Sequence, residues 1–179
     1  MNTSRESWER KKVKKRIVAN LAIVNKKTGQ ILLHKRVKEK YEGVDYWAFF
    51  GGRCDKWESP LVTVKREVYE ELSLILKDKD LIYLWNTTNT KTTEKWSEEI
   101  ERHIFMSFTD SDADEFTPRE KHGEDATFFE FEDAAKLRFR NDISSEIMAI
   151  QQSIDTILHH FQFLIENGLF HPPLVFSGR

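Results

Sequence analysis

The chain reads as an α/β protein, and three observations predict it. Short runs rich in β-branched and aromatic residues, such as RIVANLAIVN from Arg16, ILLHKR from Ile31 and TFFEF from Thr127, recur along the sequence. An amphipathic helix interrupts them from Pro60 onward. A second, long helix with an apolar stripe closes the pattern over residues 143–167.

Composition narrows the class. With 179 residues, 39% of them hydrophobic and 12% aromatic, the chain has material for a packed core and does not read as a disordered segment. A formal net charge of −2 argues against a general nucleic-acid binder. No apolar run approaches the ~20 residues that span a bilayer, so no membrane partner is expected. The opening MNTSRESWERKKVKKR lacks the apolar centre of a secretion signal, so the expected location is cytoplasmic. Cys54 is the single cysteine, which excludes an internal disulfide and a cysteine-built zinc site.

Taken in order, residues 1–15 are polar and read as a basic N-terminal arm, with 16–179 as one domain including the helix at 143–167. The run Arg10, Lys11, Lys12, Lys14, Lys15 and Arg16 would attract polyphosphate or RNA, or simply be a solvated terminus. RIVANLAIVN, the turn NKKTGQ and ILLHKR together read as a hairpin. Residues 37–45 form a polar connection. In YWAFFGG, Trp47 and Phe49 should face opposite Tyr46, Ala48 and Phe50; the aromatic set can stack on a nucleobase or fill a core.

The next element carries the chemistry. Ser59 fits an N-cap and Pro60 the first helical position. Leu61, Val64, Val68, Leu72 and Ile75 recur at helical spacing and form the inward stripe. Glu67, Glu70 and Glu71 then fall on an arc of roughly 100° bordering that stripe. Like charges repel there and partial burial raises their cost, so a cation is expected among them. Carboxylate oxygens suit a hard divalent metal, with the carbonyl of Gly51 in the flexible Gly51-Gly52 pair as a further ligand. Arg66 can reach Glu70, or a Glu58 folded back from the loop, through a bidentate pair; the alternative is a solvated acidic face with a fortuitous arginine. Cys54, in that loop, is either a simple loop residue or a nucleophile with no histidine near it in sequence.

Beyond the helix, Leu81–Asn89 and Ile100–Thr109 read as strands, with His103 either structural or a hydrogen-bond partner for substrate. An acidic loop, 110–125, leads into TFFEF as a last strand and EDAAKLR as a short helix. In the long helix, Ile143, Ile147, Ile150, Ile154, Ile157, Phe161 and Leu164 alternate steps of four and three before Asn167-Gly168. That stripe asks for its own sheet or for a second copy of the chain, a homodimer.

The stretch Gly52–Leu74 resembles the signature of the Nudix (MutT-type) hydrolases, G-x5-E-x7-R-E-U-x-E-E-x-G-U with U a bulky aliphatic. Gly52, Glu58, Arg66, Glu67, Glu70 and Glu71 match fixed letters, and Val68 and Leu74 fill the aliphatic places. Ser73 departs, standing where the family has Gly at the helix exit. Trp57 also replaces a glycine common before the first Glu.

The resemblance implies an α/β/α sandwich with a mixed sheet and a pyrophosphohydrolase activity. The implied reaction is Mg²⁺-dependent hydrolysis of a phosphoanhydride in a nucleoside diphosphate linked to another moiety, such as a nucleoside triphosphate or nucleotide sugar, with Mn²⁺ as a substitute ion. It implies metal ligation by Glu67, Glu70, Glu71 and Gly51, with Glu67 also accepting a proton from water. Glu58 would join the metal or fix Arg66, and Arg66 would orient the acids. A further base is expected from outside the signature, Glu124 first and then Glu120. Phe50, Tyr46 and Arg53 are the expected substrate contacts. The alternatives are a nucleotide-binding module without catalysis, and RNA 5′-end processing guided by the basic arm.

Overall fold

β1 (Lys12–Asn25) is the strand from which the sheet is built. In the computed structural model, which describes residues 12–36, 46–92, 96–119, 125–139 and 143–166, both of its edges are paired. On one edge it runs parallel to β6 (Trp96–Thr109) along its whole length, from Lys12 opposite Trp96 to Asn25 opposite Thr109. On the other edge it pairs antiparallel with β2 (Ile31–Lys35) through Ile23 and Val24. The same edge, from Val18 to Leu21, pairs antiparallel with β4 (Phe50–Arg53). β2 also holds β3 (Trp47–Ala48) and β7 (Asp125–Phe129), while β5 (Ile82–Thr92) lies outside β6.

The hairpin expected from residues 16–36 therefore forms, but β1 starts earlier than its apolar pattern. Residues 12–15, assigned to the polar arm from sequence, are strand. The reason is charge pairing across the ladder. Lys15 Nζ lies 2.8 Å from Glu101 and 3.8 Å from Glu99, and Arg16 lies 2.6 Å from Glu98. Those acids come from β6, some eighty positions along the chain, so no local pattern announces them.

Alternation along β1 feeds two cores. Ala19, Leu21 and Ile23 face helix α1 (Pro60–Leu72), where Val64 and Val68 are fully buried. Ala22 and Val24 face the other way, towards α2 (Phe131–Ala134) and α3 (Ser144–Glu166), meeting Ile143, Ile147 and Ile150. Helices thus cover both faces of a mixed sheet, an α/β/α arrangement. Ile154 and Ile157 pack against the same core, so this part of the α3 stripe is spent on its own sheet. Among the described residues, no helix is long and apolar enough to cross a membrane.

α1 begins as its sequence dictates: the Ser59 hydroxyl accepts the Val62 N–H at 3.3 Å, and Pro60 occupies the first turn. It ends at Ser73 in the left-handed region, φ 59°. Ile75 therefore lies past the helix, and it is exposed rather than inward-facing.

Candidate active site

Arg66 is the hub of the site. Its Nε and Nη2 each donate to Glu58 at 2.9 Å, a bidentate clasp that folds the loop back onto α1. Nη1 donates to Glu67 at 2.9 Å and to Glu70 at 3.3 Å, and Nη2 also reaches the Arg53 carbonyl at 3.2 Å. Glu58 is further fixed by the Thr63 hydroxyl at 2.8 Å and the Asp55 N–H at 3.1 Å. With so many donors on its ionised form, its carboxyl is held down to about 2, chiefly by Arg66. Glu58 thus clasps Arg66 in this structure.

Glu71 has a different environment. It is 1% exposed, its Oε2 accepts the Gly51 N–H at 2.8 Å, and Arg36 Nη1 stands 3.8 Å from its Oε1. Burial outweighs both contacts and pushes its carboxyl up to about 8.

The two glycines bring backbone against these acids for separate reasons. A Cβ on Gly52 would lie 2.4–2.6 Å from the Glu67 carboxylate atoms, so the missing side chain is the space Glu67 occupies. Gly51 has φ 128° and a Cβ there would meet the Ala19 carbonyl oxygen at 2.2 Å. Trp57, where the family commonly has glycine, also adopts a positive φ of 75°. The residue is 91% exposed, with Lys56 Nζ 5.1 Å from the ring centroid.

On the far side of β4 from Glu67 and Glu71 lies a cavity of about 230 Å³. Gly51, Gly52 and Arg36 line it, and these same residues touch the acids. Its apolar wall is Trp47, Phe49, Ile100 and Ile143. Every charged residue lining it among those described is an arginine: Arg16, Arg36, Arg53 and Arg102.

The NUDIX domain model matches residues 14–149, well over half of the chain. The chain belongs to the Nudix family. As a Nudix hydrolase it is a pyrophosphohydrolase, an enzyme acting on phosphorus-containing anhydrides. The MutT protein of Methanosarcina mazei Go1 superposes with a TM-score of 0.60 at 15% identity, covering 79% of this chain and 96% of that one. The Ap4A hydrolase of C. elegans gives 0.59 at 16%, over 79% and 98%. A MutT Nudix hydrolase from Burkholderia pseudomallei gives 0.55 at 24%, over 74% and 97%. At these identities the likeness establishes the fold. No curated protein matches this sequence.

The Nudix signature residues Glu58, Arg66, Glu67, Glu70 and Glu71 are brought together as the spacing predicted, although not as a closed cage. Among the described residues, no three histidine, cysteine, aspartate or glutamate side chains are grouped tightly enough to enclose an ion. The countercharge to Glu58, Glu67 and Glu70 is Arg66 itself.

The substrate contacts expected from sequence are dispersed. Phe50 is a correction: it is fully buried in the α1-side core and stacked on His34 at 4.7 Å, because strand alternation turns it away from Phe49 and the cavity. Tyr46 is half-buried with Arg138 5.5 Å from its ring, and does not line the cavity. Arg53 does line it. Glu120 and Glu124 lie outside the described residues. Cys54 is a loop thiol pushed up chiefly by burial, the reverse of nucleophile activation. His103 is held by Glu101 at 2.9 Å and by the Tyr83 hydroxyl at 3.3 Å, a structural pairing. Trp47 and Phe49 of the aromatic set line the cavity, whereas Asn20, Arg36 and Arg102 were not among the expected contacts, their only signal being the pairing of strands.

Proposed function

We propose that this Nudix enzyme hydrolyses a phosphoanhydride in a nucleoside diphosphate linked to another moiety, with Mg²⁺ as its ion and Mn²⁺ as a substitute. The observation that carries the reading is continuity. The Gly51-Gly52 backbone is shared by the acidic cluster on one side and a cavity with an apolar wall and a basic lining on the other. A diphosphate needs the first and a nucleoside the second.

The donor chemistry fits a hard divalent cation. Glu67, Glu70 and Glu71 offer only carboxylate oxygens, the Gly51 carbonyl would be a further oxygen, and Glu71 is desolvated with little countercharge. When bound, the ion would screen the phosphate charge and make an attacking water more acidic. The chain's own residues do the remainder. Glu67 accepts the proton as the water oxygen bonds to phosphorus and the bridging P–O bond breaks, the electron pair leaving with the departing phosphate. Arg66, fixed by Glu58, holds Glu67 and Glu70 in place for that step. Trp47 and Phe49 offer the nucleoside an apolar face. A small-molecule nucleotide in a cytoplasmic setting is the partner this chemistry calls for.

The test is a panel of nucleoside triphosphates, nucleotide sugars, dinucleoside polyphosphates and ADP-ribose, assayed with Mg²⁺ and with Mn²⁺. Cation-dependent cleavage at an anhydride, abolished by chelator, is the expected result. Tight nucleotide binding with no phosphate release over hours would overturn the reading in favour of a binding module.

A further inference from the structure

The cavity beside the acids carries more positive charge than one diphosphate would use. Three of its four arginines are held from behind. Arg16 is paired to Glu98 and Arg102 to Glu146, both acids being nearly buried and neither lining the cavity, while Arg36 stands against Glu71. Each such pair is a dipole with its cationic end inward, so the space is electropositive although the pairs are neutral in sum. Much of the hydrogen-bonding capacity is unspent. A guanidinium has five N–H donors; Arg16 and Arg102 each donate one to a carboxylate, at 2.6 and 3.0 Å. The Arg16 Nε is shielded and without an acceptor among the described residues. Arg53 is exposed and its side chain makes no hydrogen bond or ion pair there.

Register separates these groups from the acidic cluster. Gly51 lies opposite Asn20 on β1, Arg53 and Arg102 lie opposite Val18 on its two edges, and Arg16 is two residues further on. At ~3.3 Å per residue the arginines sit about 7 to 13 Å along the strand from the Gly51 level. A diphosphate anchored at Glu67 and Glu71 does not reach that far, whereas a group attached through a nucleoside does.

We propose that this cavity binds a second phosphoryl group of the substrate, carried beyond the scissile anhydride and held by Arg16, Arg53 and Arg102. The inference rests on the hydrolase reading above for the placement of the anhydride. The extra phosphoryl is a phosphomonoester on the ribose, the position that a nucleoside carries away from the anhydride.

The test is direct binding of adenosine ligands that carry no substrate-like linkage to a second moiety: AMP, adenosine 2′,5′- and 3′,5′-bisphosphate, and ADP. At least one ribose bisphosphate should bind about tenfold tighter than AMP, and tighter than ADP, whose diphosphate is the control. That ratio should fall to near one in Arg53→Gln, whose side chain makes no hydrogen bond or ion pair among the described residues, and in Arg16→Gln, whose folding is checked by circular dichroism because Glu98 loses its partner. Equal binding of all four, a gain for ADP alone, or a gain untouched by Arg53→Gln overturns the proposal. Turnover of the substrate panel above is read separately: cleavage of none of its members counts against the hydrolase reading, while the binding ratio still decides this one.

Discussion

Ser73, left-handed at the exit of α1, is gripped by Arg119, whose Nε and Nη2 donate to its hydroxyl at 3.1 and 2.8 Å. The Arg119 N–H also donates to the Glu71 carbonyl at 2.9 Å, and its guanidinium lies 5.5 Å from the Tyr69 ring. The family's glycine is thus replaced by a residue that is strained at φ 59° but gains two charge-assisted hydrogen bonds. Ser73→Gly should relieve about 1 kcal/mol of strain and forfeit a similar amount of bonding, leaving stability within about 1 kcal/mol of the parent. Arg119→Ala should cost about 1–2 kcal/mol in the parent and clearly less in the Ser73→Gly background. Urea denaturation of the four proteins measures this coupling, and additive effects would dissolve the latch.

The two glycines before the loop should respond differently to a methyl group. Gly51→Ala meets the backbone at Ala19 and takes a forbidden φ, so it should lower stability by about 2 kcal/mol or more. Gly52→Ala meets only the end of a flexible side chain, Glu67, which can swing away. That variant should fold with nearly native stability and lose turnover about a hundredfold. Thermal melts paired with phosphate release separate the two.

Arg66→Lys should behave almost as badly as Arg66→Ala. A lysine carries the charge but cannot clasp Glu58 in two places while also reaching Glu67 and Glu70. A loss of about a hundredfold or more in kcat/KM for both variants is expected from steady-state kinetics. Rescue by lysine would reduce the role of Arg66 to charge alone.

Two carboxyls make stability depend on pH in opposite directions. Glu58 is lowered from 4.5 to about 2, so the folded form holds its proton less tightly than the unfolded chain. Its contribution is complete above pH 4.5 and fades as pH falls towards 2. Glu71 is raised from 4.5 to about 8, so without divalent cation its contribution is complete below pH 4.5 and fades as pH rises towards 8. Denaturation midpoints in chelator across this range should show both slopes. Glu58→Gln should flatten the acidic one and Glu71→Gln the neutral one.

What could be read from sequence follows from which interactions are local. The cap, the α1 stripe and the Glu58–Arg66–Glu67–Glu70 network all close within fifteen residues, so spacing alone brought them together. The early start of β1 and the meeting of Arg16 with Arg102 depend on β1 lying parallel to β6, and the burial of Phe50 and the place of Arg53 on β1 pairing with β4. These pairings join Arg16 to Glu98 and set Arg102 level with Arg53, and nothing in any of the segments names its partner. Ser73 was legible as a departure, but not Arg119 as its compensation.

Anhydride cleavage is assigned above to the acids beside Gly51-Gly52, of which Glu71 is the buried one. Glu71→Gln tests that assignment most directly. The amide oxygen can still accept the Gly51 N–H, and the parent carboxyl is already inclined to neutrality, so the variant should fold with unchanged circular dichroism. Phosphate release with Mg²⁺ should drop about a thousandfold or more. A folded Glu71→Gln protein that turns over substrate at the parent rate would contradict the account.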